Sequence, residues 1–482
     1  MFNFRIIARV FSLLLIVEGL FMLISAGISF LYHEHATSSF IYSALITIVT
    51  GVIVFTPLRN EERVSGNREG YIIVTGIWII FSLFGTLPFI FSGAVSSFGD
   101  AFFESMSGFT TTGATIMTNV DSLPHGILFW RSLTQWLGGL GIIFISLSIF
   151  PVVRSINIQI AATEFSGQQI EKIHPRIKDA ARRLLLIYSA ITITEAILLI
   201  AGGMPAFDAI CHSFTTLSTG GFSTRNSGMA AFASPYIMTV LTVFMFLAGT
   251  NMALVYFALK GNFRKAAGNN EFVFYFWICV VFIFISSAVL FFKEDAPVGK
   301  AIGDGAFHVI SIITTTGFYT QNYNLWGYGM ILMIFILMFT GGTAGSTSGG
   351  IKIVRLLLVT KNSRQELNRL IHPNAFLPVR LDKHTIHQNT VYNVLVFLTL
   401  YFFVLCISTF VISAMGYDMI TSFSTSASML GNIGPSLGTF GPSTNYSALP
   451  AFGKWFLSAL MLLGRLELLS VMILFTRSFY RH

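Results

Sequence analysis

Charge is what this sequence has least of. Asp, Glu, Lys and Arg make up 10% of its 482 residues, where soluble domains carry about 25%. With 54% hydrophobic residues, polar side chains cannot cover a water-exposed surface, so the chain is an integral membrane protein. Three cysteines, Cys211, Cys279 and Cys406, stand in different apolar runs and offer neither a disulfide framework nor a metal spacing. No polar stretch is long enough for a nucleotide-binding domain, so no cofactor is expected in this chain. An HExxH, paired Asp residues or a Ser with a buried His are all missing from the apolar runs, which argues against an intramembrane enzyme. Glu18 and Glu195 stand alone there. The alternating pattern of barrel strands is absent too, which leaves helices as the only spanning structure. A net charge of +8 would suggest nucleic acid in a soluble protein; here basic residues collecting in cytoplasmic loops explain it, and no nucleic acid is expected.

What is present is a series of ten apolar runs. The first two are 6–30 and 40–57; 6–30 is too long for a signal h-region and is expected to be a helix. Four pairs follow: 71–92 with 127–153, 184–201 with 236–259, 272–292 with 328–358, and 391–415 with 453–476. Between the members of each pair lies a shorter stretch, 100–113, 208–221, 304–317 and 418–434. These are too short to span and read as re-entrant helices. With the N-terminus in the cytoplasm, 23 of the 29 basic residues fall inside, among them Arg59, Arg63, Arg68, Arg154, Lys172, Arg176 and the run Lys352 to Lys383. Arg225, Lys293, Lys300 and Lys454 fall outside, and Arg131 and Arg465 fall within spans. That asymmetry puts both termini inside and all four short stretches on the outer side.

The short stretches repeat one another. Thr110-Thr111-Thr112-Gly113 recurs as Thr314-Thr315-Thr316-Gly317, more loosely as Ser218-Thr219-Gly220-Gly221, and most loosely as Gly431-Asn432-Ile433-Gly434. Asp100, Asp208 and Asp304 each precede their Gly by 13 residues, and Asp418 precedes Gly434 by 16; all four are expected as N-caps. His212 and His308 are equivalent in copies two and three. In copy two Gly220 and Gly221 both fit, and the shared Gly-Phe-x-Thr ending favours Gly221. Each unit crosses, dips and crosses back, so four units of equal orientation can enclose one path around an axis along the membrane normal. Hydroxyl-rich turns ending in Gly bring backbone carbonyls close to a cation. Polar loops that merely cap a helix end are the bland alternative. The units are 70–155, 156–265, 266–388 and 389–482, after an N-terminal two-helix unit, 1–69.

The TTTGA, STGGF, TTTGF and GNIGP turns in four helix–re-entrant–helix units resemble the Trk/Ktr/HKT superfamily of potassium transporters. Two extra N-terminal helices and a basic residue in the last helix are similar to its TrkH branch. The resemblance implies a potassium filter built from Thr111, Thr112, Gly113, Thr219, Gly220, Gly221, Thr315, Thr316, Gly317, Asn432, Ile433 and Gly434, with one key Gly per copy. Plant relatives with Ser at the first such position are associated with sodium; Gly113 favours potassium. The potassium ion is then substrate. The resemblance also implies a homodimer in a bacterial inner membrane and a cytosolic TrkA-type subunit that binds the regulatory nucleotide, ATP or NADH.

Two further features bear on control. Gly341, Gly342, Thr343, Ala344, Gly345, Ser346, Thr347, Ser348, Gly349 and Gly350 interrupt the longest apolar run. Five Gly in ten residues cost a helix about 1 kcal/mol each relative to Ala. Close packing of small residues is one reading; an unwound gating loop is the other, and the resemblance implies the latter. Arg465 sits mid-run, where a charge costs about 2.5–3.5 kcal/mol or more. It faces either a structural partner such as Glu18 or Glu195, or the ion path, where it opposes cations. The resemblance favours the path. The expected function is channel-like potassium uptake, with a sodium- or proton-coupled symporter of lower selectivity as the alternative; even, parallel units favour the former.

Overall fold

The computed structural model describes residues 3–59, 67–152, 177–232, 234–293, 296–375, 377–382 and 384–480. Arg63, Arg154, Lys172, Arg176, Lys383 and Arg481, and the boundary between 155 and 156, lie outside the described residues.

Helices Phe4–Leu31 and Ala36–Phe55 pack along each other and against the first unit. Four units then repeat one plan. Each opens with a long helix: Asn67–Gly85 continued by Leu87–Phe91, Ile177–Ala201, Asn270–Lys293 and Gln388–Ala414. Each then has a short helix: Phe98–Phe109, Ala206–Leu217, Val298–Ile313 and Met419–Gly431. At 1.5 Å per residue these reach about 18–24 Å, short of a ~30 Å hydrocarbon core. They dip and return, as their length requires.

Burial runs from lipid side to axis. Only 22–44% of the six long apolar spans is buried inside the protein, and Phe284, Phe292 and Phe410 are exposed, as a lipid-covered surface demands. The short helices are buried although rich in hydroxyls. In the fourth, Ser422, Ser424, Thr425, Ser426 and Ser428 are all fully buried. Their hydroxyls bond within the unit, as Ser424 does to Ile420 O at 2.6 Å and Ser426 to Ser422 O at 2.9 Å. The units close a ring in chain order. The second short helix packs on the first unit's closing helix His125–Val152, and the third on Pro235–Ala248. Phe423 of the fourth meets Phe335 of Tyr328–Leu337, and the first packs on Ala451–Arg465. The fold is an all-α polytopic bundle, with four such units around one axis and an N-terminal pair beside them.

Three closing segments depart from straight spans. The run 328–358 breaks where its glycines predict: helix Tyr328–Leu337 ends, and helix Ile353–Ile371 begins after the loop. The runs 236–259 and 453–476 were expected as unbroken helices and are not. Pro235–Ala248 turns by 116° into Met252–Leu259, and Ala451–Arg465 turns by 113° into Leu468–Phe475. Both bends lie against the loop of the third unit. A helix end leaves backbone groups without partners, and the loop supplies them to the first bend. Ala248 O accepts from Thr347 N at 3.4 Å, and Gly249 O from Thr343 N at 2.9 Å.

The aspartates also differ from expectation. Only Asp418 is an N-cap, accepting from Thr421 N at 3.1 Å. The other caps are Ser97, Pro205 and Pro297. Asp208 instead binds Thr224 Oγ1 at 2.6 Å and Arg225 at 3.0 Å, Asp304 accepts from Gln321 at 2.9 Å, and Asp100 pairs with Lys454 at 2.7 Å. Their constant spacing reflects ties to other segments, not helix starts.

Candidate functional site

Each short helix ends in the same backbone device. Thr111, Thr219, Thr315 and Asn432 have φ of +52°, +54°, +58° and +53°. Their N–H groups bond back to Gly108 O, Thr216 O, Ile312 O and Met429 O. The next N–H in each copy (Thr112, Gly220, Thr316, Ile433) reaches Ser107 O, Thr215 O, Ser311 O and Ser428 O at 2.8–2.9 Å. This is a left-handed helix cap, where Gly or Asn is usual. A β-branched Thr there costs of order 1–3 kcal/mol, and three copies hold one. The capping reading and the site reading therefore coincide: the cap consumes the amides and leaves the following carbonyls to face elsewhere.

The glycines that follow join the copies. Gly113, Gly221, Gly317 and Gly434 have φ of +79°, +76°, +79° and +97°. A Cβ on Gly113 would strike the carbonyl oxygen of Gly220; on Gly221, that of Thr316; on Gly317, that of Ile433; on Gly434, that of Thr112. Each glycine thus abuts the carbonyl just before the next copy's glycine, and the fourth closes on the first. Asn432 adds a side-chain link, its Nδ2 donating to Thr112 Oγ1 at 2.9 Å. The register in copy two follows: Gly221 is the equivalent glycine. Gly220 has its own cause, because the Gln135 side chain fills the space of a Cβ there. Gln135 donates to Gly220 O at 2.8 Å and accepts from Phe222 N at 3.2 Å.

The glycine loop lies against this ring. Its ends zip together, Gly341 N to Ile351 O at 2.9 Å and Ile353 N to Gly342 O at 3.1 Å. Its far side touches the turns: Gly349 N donates to Thr315 Oγ1 at 2.7 Å, and Thr347 Oγ1 to Leu217 O at 2.9 Å. Arg465 donates to Thr347 O at 2.7 Å and to Gly138 O at 3.4 Å. Neither Glu18 nor Glu195 forms an ion pair with it; among the described residues Arg465 has no carboxylate partner. Glu467 turns to Arg355 at 2.6 Å. Residues 341–350, read as one block, do lie together, and Arg465 meets them at Thr347.

Three residues that bond directly to the turns or the loop are not among the candidates the sequence offers. Besides Gln135, Glu271 accepts from Ala344 N at 2.6 Å and Asn251 Nδ2 donates to Ala344 O at 2.7 Å, so both backbone groups of Ala344 are held. Glu271 at the head of an apolar run was the one available signal. Asn251 and Gln135 look like ordinary amides until the helices are packed.

Comparison with known proteins agrees with this architecture. A family model described as TrkH, cation transport protein, matches residues 36–479. The Trk system potassium uptake protein TrkH of Salmonella typhimurium is 36% identical over 484 residues, covering 99% of this chain and all of that protein. TrkG, the potassium uptake protein of Escherichia coli K12, is 31% identical over 480 residues, 99% of each chain. The crystal structure of the potassium transporter TrkH from Vibrio parahaemolyticus superposes with a TM-score of 0.92 at 34% identity, covering both chains fully. With four matched units, a closed ring of turns and end-to-end relatives, the chain belongs to the TrkH family of cation transport proteins.

Proposed function

We propose that this chain takes up potassium through one channel-like path per chain, with the four turns as its selectivity filter. The closed ring of glycines and carbonyls carries the reading. Carbonyls of Thr112, Gly220, Thr316 and Ile433 replace the ion's water, as in other carbonyl filters. Strained left-handed residues hold the ring in shape before the ion arrives. The C-terminal ends of four short helices add their negative dipoles. The loop 341–350 and Arg465 are the gate: a loop seated against the ring blocks the path, and a fixed positive charge beside it opposes cations.

The unit boundaries, the bacterial inner membrane with both termini cytoplasmic, a homodimer and a nucleotide-binding cytosolic partner of the TrkA type belong to the same proposal. Family membership, the Trk system names of the relatives and the distribution of basic residues support it. The test is flux from liposomes holding the purified chain, with potassium, rubidium and sodium, at varied pH and with and without the partner. Potassium flux well above sodium flux, independent of a sodium or proton gradient, is expected. Strict dependence on either gradient would replace the channel-like path with symport.

A further inference from the structure

Behind the ring lies a second, chemically mixed one. Nine residues before each turn glycine stand Glu104, His212, His308 and Thr425. All four lie on the short helices and are buried, none more than 1% exposed. Each reaches across to the segment that leaves its own turn, two or three residues past the glycine. Glu104 accepts from Thr115 Oγ1 at 3.0 Å and from Ile116 N at 2.9 Å. His212 Nε2 faces Ser223 Oγ at 3.1 Å. His308 Nε2 accepts from Thr320 N at 3.4 Å. Thr425 Oγ1 meets Ser436 Oγ at 3.1 Å.

The two histidines are set for this by one local rule. In both, Nδ1 faces the carbonyl four residues earlier, Asp208 O at 2.7 Å and Asp304 O at 2.9 Å. A carbonyl can only accept, so Nδ1 carries the proton and Nε2 is left as the acceptor. Carboxylate, imidazole and imidazole therefore present the same face, an acceptor, to the outgoing strand. The first corner is the stiffest. Arg131 donates to Glu104 at 2.8 Å and to Ser223 O at 3.1 Å, with its guanidinium 4.2 Å from the Phe222 ring centre. Arg131 thereby ties the outgoing strand of unit one to that of unit two.

We infer that Glu104, His212, His308 and Thr425 are positioning residues that set ion selectivity by fixing the backbone beyond each turn. The inference rests on the filter reading above. A short helix fixes the backbone only as far as the left-handed cap. The glycine and the two residues after it are conformationally free unless something behind them holds them. In every copy the side chain at this one position bonds from the helix to the outgoing strand and closes that short loop, with Ser311 Oγ to Phe318 O and Ser428 Oγ to Pro435 O adding to it in copies three and four. Three residue types doing one job in four copies explains why the pattern escapes a motif search, which looks for one residue type.

The test reads selectivity, because a structural role alone would change yield or melting temperature and leave ion ratios untouched. His308→Leu removes the acceptor at similar size; His308→Gln keeps one; Ser223→Ala removes a single hydroxyl facing His212. Each is purified, checked for a monodisperse profile and assayed in liposomes beside Gly113→Ser. The potassium-to-sodium flux ratio is expected to fall about fivefold in His308→Leu, on the scale of one lost hydrogen bond. It is expected to recover in His308→Gln and to fall less in Ser223→Ala. An unchanged ratio in folded His308→Leu overturns the inference; should that variant not fold, an unchanged ratio in Ser223→Ala does so. Gly113→Ser separates the two levels. If it lowers the ratio while the others do not, the filter stands and the positioning role falls; if it has no effect either, the filter reading itself fails.

Discussion

The turns and the glycine loop use the same alphabet of Thr, Ser and Gly, and they are held in opposite ways. In the turns the amides bond within the same short helix, as Thr112 N does to Ser107 O and Thr316 N to Ser311 O. The loop zips its own ends together but is otherwise held from far along the chain, by Glu271 at the head of its own unit and by residues of units two and four. Ala344 is held by Glu271 and Asn251, Thr343 N by Gly249 O, and Thr347 O by Arg465. A locally closed turn keeps its geometry when units shift against one another. A loop held by contacts 73 to 118 residues away in sequence changes whenever any holder moves. The same alphabet thus builds locally closed turns in one place and a loop held from a distance in the other, and the proposed division of labour rests on who holds what.

The largest effect should come from breaking the ring. Gly113→Ser places a Cβ where the Gly220 carbonyl lies, at a φ of +79° that Ser adopts poorly. The carbonyl must move, so the potassium-to-sodium flux ratio should fall by about tenfold, equivalent to ~1.4 kcal/mol of lost discrimination. Unaltered ratios in folded protein would remove the ring from selection. Next comes the plug. Deleting 342–349 leaves residues able to bridge to Ile351, and basal flux should rise about fivefold, a population shift of roughly 1 kcal/mol. The ion ratio should hold. A folded but silent deletion would mean that the loop only fills space. Arg465→Ala is the milder form of the same test. It removes the bonds to Thr347 O and Gly138 O, and flux should rise about threefold, on the scale of one hydrogen bond. A lower melting temperature with unchanged flux would make Arg465 structural.

How much of this was legible beforehand follows the same local-versus-distant line. The turns were readable because left-handed and close-approach positions restrict residue type, so Gly113 and Gly317 with their threonines announce themselves. The four-unit plan was readable because lipid-facing helices must be apolar for their whole length. The bends after Ala248 and Arg465 were not. Each run is apolar enough overall to span; at the first the third unit's loop takes the backbone carbonyls of Ala248 and Gly249, and at the second the Arg465 side chain reaches Thr347 O of that loop. Asp100, Asp208 and Asp304 were misread because constant spacing to the glycine was taken for a helix start: Asp208 and Asp304 bind Arg225 and Gln321, each 17 residues on in the strand leaving the same turn, and Asp100 binds Lys454 of another unit. Glu104 was missed altogether, although Arg131 in an apolar run implies a buried counter-charge.

The smallest effect sharpens the comparison where the turns differ among themselves. Copy two alone has Gly before its ring glycine, where copies one, three and four have Thr112, Thr316 and Ile433. The Gln135 amide occupies the missing side chain's space and donates to Gly220 O. Gly220→Ala should therefore push Gln135 aside, free a buried amide and lower the ion ratio about twofold, a small fraction of what an unpaired buried group can cost. Gln135→Ala alone should lower it comparably, by loosening the Gly220 carbonyl. The double variant gives the added methyl group the vacated space and turns copy two toward the others, so its loss should be smaller than the sum of the singles. Such coupling is expected only for groups in direct contact. Strictly additive losses in flux ratios would show that Gln135 and Gly220 act separately, and that the local rigidity of copy two does not depend on its neighbour.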